Sequence, residues 1–265
     1  MAVFKKCIGI VSYLPEEGNN RARTRRSKRL TNLLLQITEL WPTIDIMIIA
    51  QNWKDFTLPE LSNKVIRFDY EQPLTIVGAR EALRNKVIEL AYDYVILIDD
   101  DAHINCESKE IAQAYLDEID KHPNGFCFIH SEKHWHTCDD YIQAPLNLCA
   151  LSKYICQQEA IPAFYLEKNE ALEDDIYAVL LHIKYADHEF LPPTGIQCDH
   201  FKAFNYFIDT KDNWPSTWNN NNTQFQIIVT NTQSVINYIL NHRDLNIEDA
   251  KKALNQFAAF WNWRK

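Results

Sequence analysis

Glycine is scarce in this sequence, with 5 residues among 265. No Gly-x-Gly-x-x-Gly or Gly-x-x-x-x-Gly-Lys-Ser/Thr stretch occurs, so neither a dinucleotide fingerprint nor a phosphate-binding P-loop has support. Long apolar runs are also missing, because no stretch approaches the roughly twenty apolar residues of a membrane-spanning helix. The first residues, MAVFKKCIGIVSYL, lack the cleavage site of a secretory signal. We therefore expect a cytoplasmic protein, at most peripherally attached to the inner face of a membrane.

Paired cysteines and an excess of basic side chains are absent as well. The 7 cysteines occur singly, without a Cys-x-x-Cys pair, which is typical of reduced cytosolic thiols. The net charge is -9, from 36 acidic and 27 basic side chains. Proteins that coat nucleic acids neutralise phosphates with basic residues, so this charge argues against a nucleic-acid partner.

Short apolar runs alternate with amphipathic segments through the first half of the chain. This alternation predicts an α/β domain with a mostly parallel sheet flanked by helices. The predicted strands are CIGIVSYL, IDIMIIAQ, KVIRFDY, YVILIDD and GFCFIH, and the predicted helices are LTNLLLQITELW, AREALRNKVIELAYD, SKEIAQAYLDEIDKH and EALEDDIYAVLLHIKY. Two amphipathic helices, 233–241 and 247–263, form a helical C-terminal segment of the single domain 1–265.

Three aspartates, Asp99, Asp100 and Asp101, follow directly after the apolar run YVILI. In open α/β sheets, ligands bind beyond the carboxyl ends of the strands. Carboxylates this close raise one another's pKa unless a cation keeps them ionised, and Mg²⁺ or Mn²⁺ suits oxygen ligands. The alternative is that Asp99 and Asp100 cap the next helix while Asp101 is solvated.

The stretch VGAREALRNKVIELAYDYVILIDDDAHI resembles the core of GT-A nucleotide-sugar-dependent glycosyltransferases, particularly inverting family 2. Members carry an Arg-Asn element before a strand that ends in Asp-x-Asp, and Arg84-Asn85 and Asp99–Asp101 match both. APLNLCALSKYICQQ and ALEDDIYAVLL are similar to two later family elements, the second with its Glu173-Asp174 pair. The resemblance covers roughly 6–201. A phosphatase of the dehalogenase type, the other Mg²⁺ enzyme considered, would carry its Asp-x-Asp near the start of the chain.

The resemblance implies a Rossmann-like GT-A fold, with a nucleotide-binding half over about 1–130, an acceptor half over about 131–205 and a helical appendage over about 206–265. It implies a hexosyltransferase that moves a sugar from a nucleoside diphosphate donor, a UDP-sugar, to a hydroxyl of a glycan or lipid-linked glycan. The reaction implied inverts the anomeric centre and uses Mn²⁺ or Mg²⁺. The alternatives are a catalytically silent sugar-nucleotide-binding protein of the same fold and a Mg²⁺-dependent phosphatase.

The resemblance also implies roles for individual residues. The aspartate of the Glu-Asp pair is the family's general base, which assigns that role to Asp174, beside Glu173 and with Asp175 as the alternative. Metal ligands are implied at Asp99, Asp101 and His200, with His188 as the rival of His200. The residues implied in donor binding are Ser12, Tyr13, Asn52, Arg80, Arg84, Asp99 and Asp100. A solvated helix arginine is the alternative for Arg80 and Arg84.

Three further segments each allow two or more interpretations. HSEKHWHTC, with His130, His134, His136 and Cys138, is either a zinc site, a sugar-binding lip with Trp135 or a surface loop. The basic run Arg21–Arg29 is either a solvated loop and helix start or a contact for a diphosphate, a lipid pyrophosphate or an anionic membrane. The C-terminal FAAFWNWRK either lies in a membrane interface or packs on the sheet.

Overall fold

The computed structural model describes residues 3–14, 20–72, 74–129, 148–161, 165–166, 169–170, 177, 180–181 and 184–200. The two predicted C-terminal helices, the aromatic C-terminus and the histidine-rich stretch from His130 to Cys138 lie outside these residues. Within the described part of the chain, no helix is both long enough and apolar enough to cross a bilayer.

Strands and helices alternate along the described chain, as the apolar pattern predicts. In order they are β1 (Lys6–Tyr13), α1 (Asn20–Leu40), β2 (Asp45–Gln51), β3 (Val65–Tyr70), α2 (Ile76–Glu89), β4 (Tyr94–Asp99), β5 (Ala102–Cys106), α3 (Lys109–Ile119), β6 (Phe126–Cys127), β7 (Cys149–Ser152), α4 (Lys153–Gln158), β8 (Tyr165–Leu166), β9 (Asn169–Glu170), a 3-10 helix (Ala186–His188) and β10 (Ile196–His200).

Six strands form the central sheet in the order β3-β2-β1-β4-β7-β6. The first four of these pair in parallel, while β7 runs antiparallel to both β4 and β6. Strands covered on both faces need apolar side chains at every position, which explains the uninterrupted runs of β2 and β4. The predicted α/β architecture with a mostly parallel sheet is confirmed.

Helices cover both faces of this sheet. On one face, alternate residues of β1, such as Ile8 and Ile10, pack with Leu33 of α1 and Tyr115 of α3. On the other face, Cys7 and Val11 of β1 pack in a second cluster with residues of α2 and α4. Full burial of each large aliphatic side chain contributes roughly 1.5–3 kcal/mol, so these two layers stabilise the sheet that carries the strand ends.

Helix α1 begins at Asn20 rather than at Leu30, where the sequence pattern places it. The basic run Arg21–Arg29 therefore lies at the start of the helix, so the helix-start part of the first interpretation is confirmed and its loop part is wrong. Arginine and lysine are good helix formers, so a dense run of them is compatible with a helix start. Arg26 and Arg29 are buried on the side of α1 that also carries Leu33.

Strand β5 and its partner β10 form a small antiparallel sheet beside the triplet. Residue 102 therefore starts a strand, and α3 begins only after Ser108, whose hydroxyl accepts a hydrogen bond from Ile111 N. The alternative in which Asp99 and Asp100 cap the next helix is wrong, because a strand separates them from it. A five-residue strand with a partner far along the chain leaves little local signal in the sequence.

Gly9 permits close approach of α2 to the sheet. A Cβ at this position would lie 2.7 Å from Val95 Cγ2 and 2.8 Å from Leu83 Cδ2. We expect Gly9→Ala to lower the free energy of unfolding by roughly 1–3 kcal/mol, because the two side chains must shift within a packed core. Urea denaturation followed by circular dichroism measures this, with an unchanged m-value. A midpoint equal to that of the wild type would contradict the described packing.

Candidate functional site

The triplet lies where the strand order of the central sheet reverses. From β1 the chain crosses to β2 on one side, and β4 pairs with β1 on the other side. Val11 of β1 is paired with Asp99 of β4, so Ser12 and the aspartates share the carboxyl edge. In open α/β sheets a crevice forms at this reversal, and ligands bind in it. The predicted location of the triplet at a ligand-binding edge therefore agrees with the topology.

Asp100 is turned into the protein, where it is 5% exposed. The Ser12 hydroxyl donates to Asp100 Oδ2 at 2.7 Å, and Arg26 Nη1 lies 3.3 Å from Asp100 Oδ1. The indole Nε1 of Trp53 donates to Ser12 Oγ at 3.1 Å. We call these four residues, Ser12, Arg26, Trp53 and Asp100, the Asp100 network. Its members come from β1, α1, the segment after β2 and the position directly after β4.

The electrostatics of Asp100 reflect two opposing effects. The pKa of its carboxyl group is raised to about 6, chiefly by burial; Arg26 lowers it, repulsion by Asp101 raises it, the Ser12 hydrogen bond lowers it and Asp99 raises it. Desolvation and like charges both disfavour the ionised form of a carboxyl group. The repulsion expected from three adjacent aspartates is therefore present, and the chain itself supplies part of the compensating positive charge.

Asp99 has a different environment from Asp100. Arg80 Nη2 of α2 donates to Asp99 Oδ1 at 3.1 Å, and the Arg80 residue is 6% exposed. The side chain of Asp99 remains 25% exposed, so part of it faces solvent at the carboxyl edge. Asp101 is buried, at 8% exposure. The structure thus brings Asp99, Asp100, Asp101 and Arg80 together at one edge of the sheet.

Arg84 lies one turn further along α2 and makes other contacts. Its Nε lies 3.0 Å from each Glu81 carboxylate oxygen, and its Nη1 donates to the carbonyl of Cys156 in α4. Glu81 also accepts a hydrogen bond from Ile161 N. Arg84 therefore joins α2 to α4, whereas Arg80 contacts the triplet. The role of either arginine at a donor phosphate stays a prediction.

Asn52 connects the ends of three elements. Its backbone adopts the left-handed conformation, with φ 55°, which asparagine tolerates better than most residues. Its Nδ2 donates to Leu14 O at 2.8 Å, and its own carbonyl accepts from Arg23 Nη1 at 3.0 Å. Ser12 and Tyr13 are both buried at the end of β1. The donor contacts of Ser12, Tyr13 and Asn52 stay predictions.

The two candidate histidines lie in different surroundings. β10 runs antiparallel to β5 with His200 opposite Ala102, so the backbone of His200 lies beside the residue that follows the triplet. The His188 ring lies 5.4 Å from the Tyr154 ring and 6.5 Å from the Tyr185 ring, measured between centroids. Across the described residues, no three or more His, Cys, Asp and Glu side chains are grouped to hold a metal ion.

The proposed base region is described only in its second part. Glu173, Asp174 and Asp175 lie outside the described residues. Shortly after them, Tyr177, Leu180 and Leu181 are helical, and all three are buried. Tyr177 and Leu181 belong to the apolar cluster that α2 covers. Tyr177, Leu180 and Leu181 thus agree with the predicted helix EALEDDIYAVLLHIKY, whereas its first residue, Glu170, lies in β9.

Arg26 and Trp53 are site residues that the sequence pattern did not single out. Arg26 precedes Leu30, Leu33 and Ile37 at helical spacing, and all four are buried. A cation at helical spacing on an apolar stripe indicates a buried anionic partner, because buried charges are generally paired. The helical spacing of Arg26 could therefore have indicated its buried role from the sequence. No sequence pattern indicates the hydrogen bond of Trp53.

No family model and no curated protein sequence matches the chain. Among solved structures, residues 1–349 of S. aureus TarS in complex with UDP-GlcNAc align with a TM-score of 0.53 at 10% identity, over 96% of this chain and 71% of that chain. The same TarS segment in complex with UDP aligns with a TM-score of 0.52 at 11% identity, over 98% and 71%. The chain has a GT-A-like fold. At this identity the likeness establishes the fold alone, and the nucleotides are ligands of TarS.

Removal of the Ser12 hydroxyl tests the Asp100 network. We expect Ser12→Ala to lower the free energy of unfolding by about 1–3 kcal/mol, because it leaves Asp100 Oδ2 and Trp53 Nε1 without this buried partner. Urea denaturation measures the change. Ser62→Ala is the control, since the Ser62 hydroxyl bonds to Pro42 O at an exposed position, and we expect a change below about 0.5 kcal/mol. Equal effects of the two substitutions would contradict the network.

Proposed function

We propose that this protein is a metal-dependent glycosyltransferase that moves a sugar from a UDP-sugar to a hydroxyl of a glycan or lipid-linked glycan. The observation that carries the proposal is the position of Asp99–Asp101 at the carboxyl end of β4, beside the end of β1 in a GT-A-like fold. The structural likeness to TarS in complex with UDP-GlcNAc supports a nucleotide-sugar donor. The resemblance of the triplet and the Glu173-Asp174 pair to inverting family 2 supports sugar transfer with inversion.

The carboxylates of the triplet fit a hard divalent ion. Mg²⁺ in nucleotide sites is held by one or two carboxylates together with substrate phosphates and water. Two carboxylates, from Asp99 and Asp101, therefore suffice without a cage of three protein ligands. His200 is the further ligand proposed, with His188 as its rival. When bound, Mn²⁺ or Mg²⁺ would neutralise the charge of the diphosphate leaving group.

Arg80 supplies positive charge at the same edge. Its guanidinium is held against Asp99 and is itself almost fully buried. A cation fixed in this way needs little reorganisation when a diphosphate develops charge nearby, which is the condition for effective electrostatic stabilisation. We therefore assign the phosphate contact to Arg80 in preference to Arg84, whose guanidinium bonds to Glu81 and Cys156 O.

A second carboxylate is required for the acceptor. In an inverting displacement the incoming hydroxyl loses its proton as the new bond forms, and a carboxylate within hydrogen-bond reach accepts it. We assign this role to Asp174, with Glu173 beside it. The buried Tyr177 and Leu181 pack in the apolar cluster beneath α2, the helix that carries Arg80.

A panel of nucleotide sugars tests the reaction class. With Mn²⁺ present, we expect slow hydrolysis of at least one UDP-sugar. We expect the same UDP-sugar to bind with a dissociation constant of roughly 1 μM–1 mM, the range typical of KM values. Removal of the metal with EDTA should abolish turnover, and added Mn²⁺ should restore it. Tight binding without turnover in the presence of acceptor glycans would favour a silent binding protein. Hydrolysis of simple phosphomonoesters in place of UDP-sugars would favour a phosphatase.

Substitution of the proposed base tests the mechanism. We expect Asp174→Asn to lower kcat by about 10²–10⁴-fold, the usual contribution of a general base, while UDP-sugar binding changes little. Steady-state kinetics and calorimetry measure the two effects. Asp175→Asn is the matched control and should keep most of the turnover. Nearly full turnover in Asp174→Asn would remove the assignment, and a loss in Asp175→Asn alone would transfer it to Asp175.

A further inference from the structure

We infer that Arg26 is a positioning residue of the donor site, which acts by holding Asp100 inside the protein so that Asp99 and Asp101 remain in place for the donor. This inference rests on the proposed function, because it concerns the same edge of the sheet. It assigns a role to the basic run of α1 that differs from a direct contact with an anionic ligand.

Both carboxylate oxygens of Asp100 are engaged by the chain. Arg26 Nη1 lies 3.3 Å from Oδ1, and the two side chains are only 10% and 7% exposed. The Ser12 hydroxyl donates to Oδ2 at 2.7 Å and is fixed in turn by Trp53 Nε1. Asp100 could therefore reach a donor only by breaking a buried ion pair and a buried hydrogen bond. Its arrangement is that of a supporting residue between two carboxylates.

Arg26 also belongs to a helix that is fastened to the neighbouring strand end. One turn before it, Arg23 donates to Asn52 O at 3.0 Å and to the carbonyl of Lys54. Asn52 Nδ2 in turn donates to Leu14 O just after β1. The first half of α1 thus connects the ends of β1, β2 and β4. A donor that lies across these strand ends would depend on α1 for their relative positions.

Loss of Arg26 has a defined consequence at the triplet. Asp100 would remain buried without this cation, and a buried carboxylate that has lost its cation is strongly destabilising unless it turns towards solvent. Turning outward displaces the backbone between Asp99 and Asp101, since all three are consecutive. Residues that support ligating side chains in this way typically change metal affinity by about 10–100-fold when they are substituted.

Calorimetric binding of UDP in the presence of Mn²⁺ tests the inference. We expect Arg26→Met to weaken UDP binding by about 10–100-fold and Arg26→Lys, which keeps the charge, to restore part of it. Lys6→Met is the matched control, because it removes a similarly buried ion pair, Lys6 Nζ to Asp120 Oδ1 at 2.6 Å, at the opposite end of β1. We expect the control to lose stability while its UDP affinity stays within about twofold, since its effect lies far from the triplet.

A double substitution separates positioning from folding. Arg26→Met with Asp100→Asn removes both charges of the buried ion pair, so it should fold at least as well as Arg26→Met alone. If Arg26 acts through Asp100, the UDP affinity of the double variant should be no lower than that of whichever single variant, Arg26→Met or Asp100→Asn, binds UDP more weakly. Additive losses would instead indicate that Arg26 acts on the donor directly and would overturn the inference.

Two further results would overturn the inference in distinguishable ways. If a folded Arg26→Met protein binds UDP with the affinity of the wild type, the Arg26–Asp100 ion pair only stabilises the fold. The inference would then be wrong, while the proposed function would stand. Absence of UDP and UDP-sugar binding in the wild type itself would remove the proposed function and the inference together.

Discussion

The parallel pairing of β1 with β4 is the contact on which the rest of the structure depends. It places a small hydroxyl residue, Ser12, beside the end of β4, where the strand's last residue, Asp99, is followed by Asp100 and Asp101. Helices pack on both faces and bury every residue of these strands except Lys6, which begins β1, and Asp99, which ends β4. This packing limits movement of the strand ends relative to the core. The site is therefore built from rigid elements, which hold catalytic groups more closely than loops do.

Three adjacent carboxylates would destabilise this edge without compensation. The chain divides them: Asp100 is neutralised internally by Arg26, and Asp99 is paired with Arg80. A buried ion pair recovers its desolvation cost only when its remaining hydrogen-bonding groups are also satisfied, and Ser12 meets that condition for Asp100. Two arginines already offset part of the negative charge of the carboxylates at this edge. In the proposed function, a divalent ion would offset the remaining negative charge when the donor binds.

The sequence was most informative where structure is encoded locally. The buried strands could be predicted because full burial requires continuous apolar runs, and the triplet could be placed because it directly follows one of them. The predicted start of α1 was wrong because the first half of the helix is rich in charged residues. These basic residues obscured the buried stripe of the helix, which extends back to Arg26. β5 escaped prediction because its partner, β10, lies far along the chain. The contacts of Arg80 and Arg84 also depend on tertiary packing, since one helical turn separates a residue at the triplet from one at α4.

The pairing of β5 with β10 makes one flank of the candidate site depend on a late part of the chain. This small sheet has two strands, and its buried residues, including Ile104 and Ile196, pack in the same apolar cluster as α1 and α3. Its contacts also join residues widely separated in sequence, from Ala102 opposite His200 to Cys106 opposite Ile196, and such contacts form slowly during folding. One flank of the triplet is therefore completed only when β10, a late part of the chain, has joined β5.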